Sequence, residues 1–139
     1  MKKIIYTILT LSLMSMYAFA GSVAMSEVPD AAIKFADKYF ADYYLFRATE
    51  NGGSYTLIFK GGLKIYVNSR GEWKTISGGG EEISIDYVED KVKNAIKKEY
   101  PEEKVIQIQK KSKNYNVQFK SRRKITIDFE GNITKKGRD

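Results

Sequence analysis

Two stretches of the chain, sixty positions apart, carry the same order of apolar and polar positions. Residues 28–74 lie over 88–134 without a gap. Val28 falls on Val88, Asp30 on Asp90, Tyr55 on Tyr115, Phe59 on Phe119, Lys60 on Lys120 and Gly71 on Gly131. Lys64-Ile65 falls on Lys124-Ile125. Apolar character also matches at Ala36 and Ile96, Phe40 and Tyr100, Leu45 and Val105, Phe46 and Ile106, Leu57 and Val117, Val67 and Ile127, and Trp73 and Ile133. Chance can match a few positions. Matching a helical period and then a strand period in one register is harder.

Each copy opens with a helix. Val88, Val92, Ala95, Ile96 and Tyr100 recur at helical spacing and form one apolar stripe, as do Val28, Ala32, Phe35, Ala36 and Phe40. Asp86 and Glu89 have the spacing of a capping box at the second helix start. Pro29 stands where a helix start tolerates proline, and Pro101 ends the second helix because its ring cannot continue the hydrogen-bond ladder.

Strands follow each helix. Tyr55, Leu57 and Phe59 alternate with Thr56, Ile58 and Lys60, and Tyr115, Val117 and Phe119 with Asn116, Gln118 and Lys120. A period of two gives a sheet with one buried and one wet face. Ile65 and Val67, with Ile125 and Ile127, extend the buried face onto the next strand. Preceding strands are expected at 44–50 and 104–110, and last strands from near Trp73 and Ile133. Asn51-Gly52-Gly53-Ser54, Gly61-Gly62, Ser69-Arg70-Gly71 and Glu130-Gly131-Asn132 are turn chemistry.

The expected fold class is α+β: a tandem repeat of one helix followed by three or four antiparallel strands. The helices would pack on one face of a shared antiparallel sheet. The divisions are a signal peptide at 1–20, an N-terminal segment at 21–27, a first repeat at 28–76, a linker at 77–85 and a second repeat at 86–139. Ser77-Gly78-Gly79-Gly80 reads as a flexible joint. Each half alone is too small to bury much, which favours one continuous sheet.

The segment before the repeats changes the setting. Lys2 and Lys3 precede an uncharged apolar run from Ile4 to Tyr17, which ends in Ala18-Phe19-Ala20. This is the three-part layout of a secretory signal, with cleavage after Ala20; Ser22-Val23-Ala24 offers a second site. Periplasmic or secreted location follows, without an integral membrane span after cleavage. The chain has no cysteine, so neither a lipidated cysteine nor a disulfide is available. Removing Lys2 and Lys3 from the 24 basic residues leaves 22 against 17 acidic ones, a net charge of +5. That excess favours acidic partners through salt-sensitive attraction, and it also keeps a protein soluble. Nucleic acid is not an expected partner after export.

The absence of histidine and cysteine excludes Ser-His-Asp and Cys-His nucleophilic systems and the usual zinc and copper sites. Glu81-Glu82 and Glu102-Glu103 are neighbours in loops rather than opposed carboxylates in a cleft. Asp128 and Glu130 around Gly131 lack the oxygen-rich loop that calcium needs and read as a plain hairpin turn. No cofactor, metal or catalytic residue is assigned.

The wet sheet face is the candidate site. Its candidate partner-binding residues are Arg47, Ile58, Lys60, Lys64, Tyr66, Gln118, Lys124 and Thr126. Tyrosine and arginine often anchor interfaces. Two readings stand side by side: a shallow surface for an acidic protein, peptide or glycan, and an ordinary solvated face whose lysines discourage edge association. Tyr39, Tyr43, Tyr44 and Phe46 cluster where the first helix meets its strand. Phe46 is expected in the core with the tyrosines part-exposed; a stacking platform is the other reading. Lys135-Lys136-Gly137-Arg138 reads as a solvated, frayed end.

Three segments carry a resemblance: Val28-Pro29-Asp30-Ala31-Ala32, Lys98-Glu99-Tyr100-Pro101, and the strand–turn–strand run from Lys64 to Trp73 with its echo from Lys124 to Ile133. In their order and spacing they resemble the PepSY-like, beta-lactamase-inhibitor-like family of small periplasmic proteins, over essentially the whole chain after residue 20. The resemblance implies a tandem helix-plus-sheet unit, an exposed sheet face and no known catalytic residues. The family's inhibitor namesake grips an enzyme with the concave face of such a sheet. The chain departs from the pattern at Gly131-Asn132-Ile133, where Gly-x-Trp is expected, and at Arg122-Arg123, which replaces a glycine turn. The expected function is therefore a non-enzymatic exported binding or inhibitor-like protein, its target an acidic envelope or secreted protein or peptide. A small-ligand carrier or sensor is the alternative, with a cavity between helices and sheet lined by Phe35, Phe40 and Phe46.

Overall fold

The computed structural model describes residues 21–138, so the signal-peptide reading at 1–20 lies outside the described residues. Strand β1 (Ser22–Val23) and a 3-10 turn (Met25–Glu27) lead into helix α1 (Asp30–Tyr39). Strands β2 (Leu45–Asn51), β3 (Ser54–Phe59), β4 (Lys64–Val67) and β5 (Trp73–Ser77) follow. The second set is helix α2 (Asp90–Glu99) with strands β6 (Val105–Lys110), β7 (Asn114–Phe119), β8 (Arg123–Asp128) and β9 (Ile133–Arg138). All nine strands form one antiparallel sheet in chain order. The fold is the expected α+β repeat, with four strands after each helix. β5 pairs β6, so the sheet runs unbroken from one repeat into the next.

The period-two pattern explains the burial. One cross-strand row runs Ala48, Leu57, Ile65, Ile76, Ile108, Val117, Ile125, over seven consecutive strands. Each of these side chains is at most 2% exposed. Fully burying one aliphatic side chain of this size contributes about 1.5–3 kcal/mol. Ala32 and Ala36 of α1, and Val92 and Ile96 of α2, join them in a single apolar cluster. Both helices end alike: the N–H of Phe40 donates to the Ala36 carbonyl and that of Tyr100 to the Ile96 carbonyl, each at 2.8 Å.

Aromatic side chains join the repeats. Trp73 of β5 stacks on Tyr115 of β7, rings 5.9 Å apart and nearly parallel at 4°. Tyr87, just before α2, meets Trp73 edge-on at 5.2 Å and reaches back to Phe35, Tyr39 and Phe40. Such pairs add about 0.5–1.5 kcal/mol each beyond their buried area. The Tyr87 hydroxyl is buried without a partner, and that burial pushes its pKa up.

Four expectations need correction. Phe46 is 52% exposed rather than in the core. A β-bulge between Leu45 and Arg47 inserts it between two ladder pairs and turns it outward. The capping box does not form: α2 starts at Asp90, no side chain caps it, and the Glu89 carboxylate accepts the Tyr115 hydroxyl instead. The supposed flexible joint is a packed turn. Gly78 is buried and its N–H donates to the Ile106 carbonyl, while the Ile83 N–H donates to Val105. A side chain at Gly78 would strike the Glu81 carbonyl, so glycine is required there. Residues 135–138 are not a frayed end but part of β9, paired along β8.

Candidate functional site

Two rows of side chains run across the face opposite the helices. The first passes through Ser22, Thr49, Thr56, Tyr66, Thr75, Gln109, Asn116, Thr126 and Lys135, one residue from each strand. The second passes through Arg47, Ile58, Lys64, Ser77, Gln107, Gln118, Lys124 and Gly137. Together they hold four cations (Arg47, Lys64, Lys124 and Lys135) and no carboxylate. Neighbouring strands lie about 4.8 Å apart, so each row brings its side chains into mutual contact range.

Seven of the eight candidate residues fall on these rows. Arg47, Ile58 and Lys64 are direct cross-strand neighbours. Tyr66 lies diagonal to Ile58 and is 39% exposed. Gln118 and Lys124 are neighbours in the second half. Thr126 donates from Oγ1 to Oδ1 of Asn116 at 3.0 Å. Lys60 lies one residue beyond β3, exposed at the rim, where its backbone N–H donates to the Tyr44 carbonyl at 2.8 Å. The two ends of the face are thus separate patches: Arg47, Ile58, Lys64 and Tyr66 at one, Gln118, Lys124 and Thr126 at the other.

The patches differ in shape. A groove of about 360 Å³ lies over β6–β9, lined by Gln107, Gln109, Asn116, Gln118, Lys124 and Thr126, and closed by residues 135–138. The contribution of 135–138 escapes a reading that treats the C-terminal residues as loose. The sixty-residue offset was the available signal, since it places 133–137 on strand β5. The first half carries the exposed large apolar side chains instead: Tyr43, Tyr44, Phe46 and Tyr66.

The chemistry of the face is that of hydrogen bonding and charge. Among the described residues, no group of three His, Cys, Asp or Glu side chains converges to hold a metal. The Asp128 carboxylate accepts from the backbone N–H groups of Glu130 and Asn132, both at 2.9 Å, and from Asn132 Nδ2. These bonds lower its pKa. Tyr115, whose hydroxyl donates to Glu89, has its pKa raised chiefly by burial, and it faces the core rather than the wet side. No helix among the described residues is long and apolar enough to cross a membrane.

The family described as "Putative beta-lactamase-inhibitor-like, PepSY-like" matches residues 53–135. The chain belongs to this family. Solved structures share the architecture of this PepSY-like protein. One is a "putative calcium-regulated periplasmic protein" of Bacteroides thetaiotaomicron, 21% identical, with a TM-score of 0.78 over 84% of this chain and 95% of that one. Another is a "putative periplasmic protein" of Bacteroides vulgatus, 22% identical, with a TM-score of 0.76 over 84% and 94%. A second protein from that species, "of unknown function", is 20% identical, with a TM-score of 0.74 over 84% and 99%. At these identities the likeness is one of fold. No curated protein matches the chain.

Proposed function

We propose that this PepSY-like protein is an exported, non-enzymatic binding protein that holds an acidic partner protein on the open face of its sheet. The observation that carries the reading is the composition of the two wet rows: four cations and no carboxylate, with Ile58 and Tyr66 among them. Basic side chains steer an acidic partner at long range, and aromatic and arginine side chains supply short-range anchoring. A periplasmic setting accords with the amino-terminal signal pattern and with the location given for its structural neighbours. Phe46, which the carrier reading needs as a cavity wall, is turned to solvent, so the sheet face is the stronger candidate. The calcium regulation named for the Bacteroides thetaiotaomicron protein belongs to that protein. Here the turn carboxylate of Asp128 is already engaged by its own hairpin.

The test is affinity capture from envelope extract at low salt, with Tyr66→Ala and Lys64→Glu as variants. Captured proteins should fall at least several-fold for Lys64→Glu and wash off as salt rises. Full recovery by both variants would remove the first half of the face from the binding surface.

A further inference from the structure

The geometry points to the second-repeat groove as a site for an extended acidic peptide segment, lying along the strands over β6–β9. This deepens the sheet-face reading and rests on it. The groove floor is a grid. Gln107 and Gln109 stand on β6, Gln118 and Asn116 opposite them on β7, and Lys124 and Thr126 opposite those on β8. Same-face side chains on one strand are about 6.8 Å apart, which is the two-residue repeat of an extended peptide lying parallel to it. A side-chain amide carries a donor and an acceptor, as a peptide group does. The Gln107 and Gln109 amides are half-buried in the groove and make no hydrogen bond among the described residues, so both functions are available to an incoming main chain. Thr126 occupies the Asn116 oxygen and thereby fixes which end of that amide donates.

Charge selects the segment. Lys135 stands beside Lys124 on the groove side, while Lys136 and Arg138, opposite Ile125 and Arg123, stand on the helix face. No carboxylate among the described residues lines the groove, and Lys135 makes no ion pair among them. Among the described residues no aromatic side chain lines the groove either, so they offer no stacking surface of the kind a sugar ring would use. At its outer end Gly137 pairs with Lys124. A Cβ added there meets nothing within 4 Å, and its backbone lies outside the left-handed region. This gap gives a direct test, because Gly137→Trp fills the groove while leaving the charge and the folded backbone unchanged.

The experiment is fluorescence anisotropy with a labelled oligoglutamate peptide at low and physiological salt, against a length-matched oligogalacturonate. Circular dichroism would confirm that each variant is folded. The wild-type protein should bind the peptide more tightly than the acidic sugar. Gly137→Trp and Lys135→Glu should each weaken peptide binding about tenfold, and Gln107→Leu with Gln109→Leu several-fold. Equal binding by Gly137→Trp and wild type would mean attraction to net charge alone and would overturn the proposal. Equal or tighter binding of the oligogalacturonate would overturn it in favour of a glycan surface. If Gly137→Trp still captures envelope partners that Lys64→Glu loses, the groove assignment fails while the wider sheet-face reading stands. If neither variant affects capture, both fail.

Discussion

The two hairpin turns between β4 and β5 and between β8 and β9 make the same bonds with their chemistry exchanged. In the first, Asn68 Oδ1 accepts from the N–H groups of Arg70 and Glu72, and its amide donates to the Glu72 carboxylate. In the second, Asp128 Oδ1 accepts from the N–H groups of Glu130 and Asn132, and the Asn132 amide donates back to Asp128. Acid and amide have changed places while the bonding pattern stayed. Both turns then press a glycine in the left-handed region against a helix start: Gly71 against Pro29 and Ala32, Gly131 against Lys91. The wet faces show the opposite behaviour. At matching positions Ile58 stands over Gln118 and Tyr66 over Thr126, and the pattern itself has diverged. Positions that close the fold conserve their geometry; positions that face water do not, and binding chemistry is free to differ between the halves.

The largest expected effect tests whether the halves form one core. Ile76 lies between Ile65 and Ile108 at the seam and is fully buried. Ile76→Ala should cost about 2–5 kcal/mol and leave a single unfolding transition in urea. Two separate transitions would show that the repeats fold independently. Next come the docking glycines. A Cβ would stand 2.9 Å from Ala32 N at Gly71 and 2.6 Å from the Lys91 carbonyl at Gly131, each on a left-handed backbone. Gly71→Ala and Gly131→Ala should each destabilise by about 2 kcal/mol, the left-handed strain alone costing about 1–2. A large loss at one and none at the other would break the equivalence of the turns.

Smaller effects sharpen the comparison. Arg122 has a φ of 76°, where its counterpart Gly62 has 98°. The second repeat therefore holds a strained non-glycine residue where the first has glycine. Arg122→Gly should raise thermal stability by up to about 1 kcal/mol. The smallest effect is the acid dependence of the turns. Glu72 is held below its ordinary value chiefly by the Asn68 amide and then by Arg70; Asp128 is held low chiefly by the Asn132 N–H. A depressed carboxylate stabilises the fold above its ordinary pKa, near 4.5 for Glu72 and 3.8 for Asp128, and that stability is lost as the pH falls through the lower folded value. Stability curves should therefore drop below about pH 4, and Asp128→Asn or Glu72→Gln should each flatten part of the drop. Pairing Asp128→Asn with Asn132→Glu recreates the first turn and should recover what either single change loses.

Much of the fold is legible along the chain because the repeat supplies each pattern twice. Tyr55-Leu57-Phe59 and Tyr115-Val117-Phe119 set the inward face, and the tertiary register agrees with it strand by strand. What escaped depends on irregularity. The bulge that turns Phe46 outward changes alternation by one residue, and hydrophobicity alone does not mark it. Glu89 has capping spacing, but a tyrosine 26 positions away takes its carboxylate. Of the candidate site, the face was legible and its division into two patches was not.

The sequence by itself determines the alternation, the turns and, away from the bulges, the side of the sheet on which a strand residue stands, because those follow from local periods of 3.6 and 2. Only the tertiary structure decides that β5 pairs β6, that Trp73 stacks on Tyr115, and that residues 135–138 close a groove over Gln107 and Gln109. Those outcomes depend on contacts between segments far apart in the chain, whose energies no local pattern records.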